Sequence, residues 1–257
     1  MAGNEQQLVA AWLDDAGIPR DGVLFLHSAF RNLAQQGWRV EPFIDALLDY
    51  MRDGTLVMPT MSWRIANPAN PVFDERETPS HVGIVPETFR LTRATHRSLH
   101  PTHSVGAAGK LAEHLTSTHH LDDTPCSPRS PYGKARAEDA HVIMLGIGLE
   151  RCTAIHLGEE EVAPDVYLKP PAEAVVYSCR DRRGIVHPVR MRHHLPLNRD
   201  FPQFTAPLAA QGQLRSGSLA GTPWIAFTQR DLLATVFAAL KANPRQIIAP
   251  LGAPVIP

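Results

Sequence analysis

The chain opens on a helical period. Leu8, Val9, Trp12, Leu13 and Ala16 recur at three- and four-residue spacing and so share one helix face. Asn4 is a capping residue type at its start, and Gly17 followed by Pro19 stops it. Val23-Leu24-Phe25-Leu26 is then apolar without a break, the pattern of a strand covered on both faces. Pro42 is read as opening a second helix with Phe43, Ile44, Leu47, Leu48 and Met51 inward and Gly54 at its end. Thr55-Leu56-Val57-Met58 is a second buried strand. Strand, helix and strand predict a βαβ unit whose strands are parallel neighbours.

Residues 59–82 form a long Pro- and Asn-rich connection, the length of a lid or binding loop. Helices are expected from Pro86 and around Leu111–Leu115, with HPTHSVGAAG between them and a loop centred on CSPRSPYGK after them. Val142-Ile143-Met144-Leu145 is a third buried strand, ending in Gly146-Ile147-Gly148. Thr153 is expected to cap a helix carrying His156 and Glu159-Glu160-Glu161, with Pro164 ending it. Ala174–Tyr177 and Ile185-Val186 flank Asp181-Arg182-Arg183-Gly184 and predict an antiparallel hairpin. A short helix is expected within Phe201–Leu214. Thr228 caps a last helix with Asp231 at its third position and Leu232, Leu233, Val236, Phe237 and Leu240 as its stripe. The expectation is a single α/β domain over residues 1–257, with a mostly parallel central sheet and an antiparallel extension at about 172–220.

Composition narrows the function. Lys and Arg total 25 against 26 Asp and Glu, a net charge of -1. That balance offers no basic footprint for nucleic acid and no polybasic membrane patch. No apolar run reaches the roughly 18–20 residues of a membrane span, and Met1–Gln7 lacks a signal pattern. Cys126, Cys152 and Cys179 are odd in number and lack CxxC spacing, so they read as reduced thiols of a cytoplasmic protein. Histidine stands out, with 13 copies. It titrates near neutrality and ligates metals, so the question is which histidines do chemistry.

Ligands of open α/β sheets bind beyond the carboxyl ends of the strands. Three strand ends carry HSAFR (27–31), PTMSW (59–63) and GIGLERCTAIH (146–156). His156 in the first turn of its helix would be held neutral by the helix dipole, as a general base requires; Glu159 and Glu160, three and four residues on, are placed to orient it. His27 follows a buried strand directly and is either a substrate-positioning or a structural histidine. His96, His100 and His103 have zinc-like spacing, but Pro101 breaks the helix they would need. His193 and His194 are adjacent, so at most one is expected to face a site; His119 and His120 read as exposed. Neither a GxxxxGK[ST] phosphate loop nor a GxSxG elbow is present, and Gly146-Ile147-Gly148 lacks the third glycine of a dinucleotide fingerprint.

VLFLHSAFRNL, GTLVMPTMSW, FDERETPSHVGIVPETFR, RSLHPTHSVGAAG, SPRSPYGK and HVIMLGIGLERCTAIHLGE occur in an order that resembles the aminoglycoside 3-N-acetyltransferases, the non-GNAT antibiotic acetyltransferases. The resemblance covers about residues 20–162 and continues weakly to the last helix. It implies an α/β/α sandwich and direct transfer of acetyl from acetyl-CoA to an amine, with His156 as base and no metal. On that resemblance Glu159 and His193 join His156 as catalytic candidates. His27, Ser28, Ala29, Phe30, Arg31, Ser104, Ser127, Ser130 and Thr153 become CoA-side candidates, and Trp63, Asn67, Asp74 and Glu160 acceptor-side candidates. The implied acceptor is the 3-amino group of an aminoglycoside antibiotic; a non-antibiotic amine and, more remotely, a metal-dependent hydrolase are the alternatives. The implied form is a monomer or homodimer. Three departures stand out. Ala29 replaces the family's usual second serine. Bases occupy Arg190-Met191-Arg192 where an acid often precedes the downstream histidine. The lid stretch Trp63–Pro71 carries Arg64 and no carboxylate.

Overall fold

The structure is a computed structural model and describes residues 2–249. Seven strands form the main sheet: β1 (Val23–Ser28), β2 (Thr55–Pro59), β4 (His96–Arg97), β5 (Val105–Gly109), β6 (His141–Leu145), β9 (Arg215–Leu219) and β10 (Thr222–Thr228), in the order β4-β5-β2-β1-β6-β10-β9. Its centre, β2-β1-β6, is parallel, as the βαβ reading expected, with Val23 opposite Thr55 and Ser28 opposite Leu145. Antiparallel strands flank that centre on both sides. A second sheet holds the hairpin β7 (Val175–Arg180) and β8 (Val186–Met191), and β3 (Val72–Asp74) pairs with β7 in parallel.

Helices cover both faces. Alternation along the strands decides which side chain meets which layer. Leu24, Leu26, Leu56, Met58, Ile143 and Leu145 pack under α1 (Ala2–Asp15), α2 (Arg31–Gln35), α3 (Val40–Tyr50) and α4 (Ile84–Thr92). Val23, Phe25, Val57, Val142 and Met144 pack under α5 (Ala112–Thr116), α6 (Pro131–Ala137), α7 (Ile155–Val162), α8 (Pro164–Tyr167), α9 (Thr205–Ala210) and α10 (Gln229–Ala242). The continuous apolar strands of the sequence are therefore a two-sided core, and the architecture is the expected α/β/α sandwich. A smaller core of Phe73, Tyr177, Cys179, Val189 and Met191 holds the second sheet. Among the described residues no helix is long and apolar enough to cross a membrane.

Several local expectations are corrected. α1 begins at Ala2, so Asn4 lies inside the helix. α3 begins at Val40, with Arg39 as the extended residue before it, and Pro42 sits at its third position. Ala154, not Thr153, precedes α7, and it makes no side-chain cap. Thr228 does cap α10, its hydroxyl accepting from the Asp231 amide at 3.1 Å. β5, β9 and β10 were not visible in the pattern, and β9 returns to the main sheet, so the antiparallel extension ends before residue 215.

Candidate active site

A cavity of about 1020 Å³ opens beyond the carboxyl ends of β1, β2 and β6. β1 delivers His27 and Ser28, and the chain then turns through Ala29 into α2. Gly146, just past β6, makes that turn possible: its φ is +70°, and a Cβ there would stand 2.9 Å from the Ala29 carbonyl. The Ala29 amide donates to the Leu145 carbonyl at 2.8 Å, tying the two strand ends together. His27 is buried against Phe25, and loss of water pushes its pKa down to about 4. The Ser28 hydroxyl is buried without a partner in the cavity wall. Arg31 and Arg151, on the adjoining ends of β1 and β6, also line the space.

His156 lies at the second position of α7 and faces the cavity. Its Nδ1 is 2.8 Å from Glu159 Oε2. Arg199 Nε donates to the other oxygen of Glu159 at 2.8 Å, and its NH1 group donates to the Leu195 and Leu197 carbonyls. Glu159 is fully buried and ties His156 to Arg199. The carboxylate fixes the proton of the imidazole on Nδ1, which leaves Nε2 as the basic nitrogen. Burial, and then the Arg199 charge, hold His156 well below the ordinary histidine range. At neutral pH it is an uncharged base. The sequence reading put this neutrality down to the helix dipole; burial and a nearby cation are the main causes here.

A second pair lies beside the first. His194 stacks on His156 with ring centroids 4.2 Å apart, and its Nε2 is 2.8 Å from Glu160 Oε1. Glu160 also accepts from the Cys126 amide at 2.9 Å, and burial raises its pKa to about 8. Glu160 therefore holds the cavity-lining His194 from behind and does not itself line the cavity. His193 does line it, with Nε2 3.0 Å from the Tyr177 hydroxyl. Both adjacent histidines thus face the site, because β8 has ended at Met191 and the chain no longer alternates. His103 also lines the cavity, edge-on to His156 at 6.3 Å. His119, expected on the surface, is buried between the Ser98 hydroxyl and the Pro125 carbonyl.

The lid connection is held down by a residue the sequence reading passed over. Arg97 is buried and donates to the carbonyls of Thr60, Glu75 and Thr78 and to the Ser104 hydroxyl. Burial lowers its pKa to about 9. With β3 paired to β7, this clamp sets Trp63, Arg64 and His81 over one side of the cavity.

Seven predicted site residues do not line the cavity: Glu159, which stands behind His156, and six that are held elsewhere. Ser104 is spent on Thr60 and Arg97. Ser127 bonds Asp122, and Ser130 caps α6 through the Gly133 amide at 3.2 Å. Asn67 closes its own turn on the amides of Ala69 and Asn70, and Asp74 closes one on Arg76 and Glu77. Glu160 is the sixth. His27, Ser28, Ala29, Phe30, Arg31, Thr153, Trp63, His156 and His193 do line it, with Glu159 directly behind His156. His156, Glu159 and His194 also present one ligand-type atom each within 4.8 Å of one another. The guanidinium on Glu159 opposes a dication there, and the carboxylate is already shared between two donors, so the donor set fits a proton network better than a metal.

Comparison with known proteins shows the family and the fold. The model of the aminoglycoside 3-N-acetyltransferase family matches residues 25–241. The chain belongs to that family. Aminoglycoside N(3)-acetyltransferase IV from Salmonella sp is 35% identical over 151 residues, 56% of this chain, and the match spans 54%, about half, of that protein's length. The solved apoenzyme AAC(3)-IVa superposes with a TM-score of 0.75 at 26% identity, covering 95% of this chain and 91% of that one. A histidine-to-alanine mutant of AAC(3)-IVa has been solved in complex with gentamicin. AAC-IIIb, solved as a binary complex with CoASH, shares the fold with a TM-score of 0.76 at 22% identity over 95% of this chain and 98% of that one.

Proposed function

We propose that this family member transfers an acetyl group from acetyl-CoA to a primary amine, with His156 as general base. The observation that carries the reading is the neutral His156 beside the cavity, its Nδ1 held by Glu159. The cavity suits an acetyl-CoA arm: an unpartnered Ser28 hydroxyl is sunk in its wall, and Arg31 and Arg151 stand where phosphates need positive charge. Acetyl-CoA supplies an activated thioester. The amine nitrogen forms a bond to the acetyl carbon, the carbon–sulfur bond breaks, and CoA leaves as the thiolate. His156 Nε2 takes the proton the amine gives up, Glu159 stabilises the imidazolium so formed, and the imidazolium then returns that proton to the sulfur to release the thiol. Transfer is read as direct: among the described residues the hydrogen-bond partner of His156 is Glu159 and not a nucleophile, and Cys126 and Cys152 are buried, which raises both thiols. Membership of the family supports an amine acceptor, with aminoglycosides the first class to test, and dependence on acetyl-CoA favours a cytoplasmic protein.

His156→Ala is expected to lower kcat by about two to four orders of magnitude with acetyl-CoA affinity retained. Thiol release on an amine panel measures the first and calorimetry the second. Unchanged turnover removes His156 from the mechanism.

A further inference from the structure

A polycationic antibiotic needs carboxylates on the wall that receives it. Among the described residues the cavity lining includes one carboxylate, Glu150, and four guanidinium groups, Arg31, Arg64, Arg151 and Arg199. Glu150 accepts from the Gly148 amide at 2.8 Å and belongs to the β6 end, beside Arg151. Arg199 is balanced by Glu159. Arg31 and Arg151 are matched by the phosphates of CoA on the reading above. That leaves Arg64, which is exposed, lies over the Trp63 ring at 5.0 Å and has no carboxylate partner among the described residues.

The lid acids do not compensate: Glu77 is exposed and does not line the cavity, and the others are paired. Asp74 is tied to Arg180 and to its own turn, Glu75 to Arg182 at 2.6 Å, and Glu87 to Arg90 at 2.6 Å. Next to Arg64, His81 packs edge-on to Trp63 at 4.5 Å, and both its ring nitrogens lack partners. The lid thus offers an aromatic face, an unpaired cation and a free imidazole.

We propose that the acceptor is an amine whose remainder carries an acid group, a carboxylate or phosphate, and that Arg64 is the residue that selects it. This rests on the acetyl-transfer reading and names its second substrate. The amine would point to His156, the body of the acceptor would lie on Trp63, and the acid group would meet Arg64.

The test separates binding from turnover. Isothermal titration into the protein–CoA complex, which cannot react, compares 4-(aminomethyl)benzoate with benzylamine, glucosamine 6-phosphate with glucosamine, and both acids with kanamycin. In at least one pair the acid is expected to bind about tenfold tighter than its neutral partner, and tighter than kanamycin. Arg64→Glu should erase that preference and tighten kanamycin; Arg64 is exposed, and an unchanged melting temperature checks the fold. Equal binding within both pairs, tighter kanamycin on the unmodified protein, or a preference that survives Arg64→Glu each overturns the proposal. Thiol release from acetyl-CoA is measured separately. Acid amines that bind in the predicted order without releasing thiol uphold the acceptor class and overturn the transfer reading. Kanamycin that binds best and is acetylated does the reverse.

Discussion

Glu159 is a fully buried carboxylate between a histidine and an arginine. Its charge stabilises the imidazolium that forms when His156 takes a proton. Glu159→Gln keeps a side chain of the same shape but removes that charge. kcat should fall by about 10- to 100-fold, or about 1.4–2.7 kcal/mol, with the KM for acetyl-CoA unchanged. The sign of the pH effect is a sharper check. A carboxylate favours the charged imidazole, so removing it lowers the His156 pKa further, and the acid limb of kcat should move to lower pH. A shift to higher pH in a pH–rate series would show that Glu159 does not act through His156. His156 could be found in the sequence because it follows a buried strand at a fixed local spacing. Arg199, His103 and His194 could not be found in that way. They reach the same point from segments 38 or more residues away, and local pattern carries no information on such approaches. His119 misled for a related reason: a histidine between polar neighbours looks solvated until Ser98 and the Pro125 carbonyl are seen to close on it.

At the scale of elements, α7 carries the chemistry and α10 seats it. Gly158 is in the middle of this eight-residue helix, where glycine is unfavourable by about 1 kcal/mol relative to alanine. The reason is contact: a Cβ at Gly158 would lie 2.4 Å from Val236 Cγ1 on α10. Gly158→Ala should therefore destabilise the fold by about 1–3 kcal/mol despite the better helix former. It should also push α7 off its seat, and His156 and Glu159 with it. A lowered melting temperature is expected together with a fall in kcat of about tenfold; a variant that melts higher would show that α10 gives way. Elements with strong apolar runs, such as β1, β2 and β6, could be read directly from the sequence. β5 could not, since Val105-Gly106-Ala107-Ala108-Gly109 is made of small residues with little strand character. β9 could not either, because Arg215-Ser216-Gly217-Ser218 is an exposed, polar edge. The long connection after β2 was legible as a lid, but its anchor was not: pairing of β3 with β7 and the Arg97 clamp both depend on partners distant in the chain.

Over the whole molecule, the surplus of histidine becomes a statement about pH. His27 and His119 are buried and His103 is half-buried in the cavity wall, and loss of water is the largest cause lowering each, to about 4, 3 and 3 in the order His27, His103, His119. An unfolded chain binds protons at these positions near the ordinary value of about 6.5. Below that pH the unfolded state gains protons that the folded state refuses, so stability is lost as pH falls. At pH 5.5 the three together cost about 4 kcal/mol relative to neutrality, and His100, His156 and His194 are shifted the same way. Glu160 opposes them. Its pKa of about 8 means that the folded state holds a proton the unfolded chain has released, so this group stabilises as pH falls from about 8 toward 4.5, by about 1.4 kcal/mol per pH unit. Burial raises Glu159 and Glu161 in the same sense, but these three carboxyls are outnumbered by the six histidines. Maximum stability is therefore expected near pH 6.5–7.5. The melting temperature should fall once pH drops below 6.5, far above the range where ordinary carboxylates titrate. Thermal melts from pH 8 to 5 measure this, and His103→Asn and His119→Asn should each flatten the acid side. A melting temperature constant down to pH 5 would mean that these histidines are protonated in the fold, and the uncharged base assigned to His156 would then lose its physical basis.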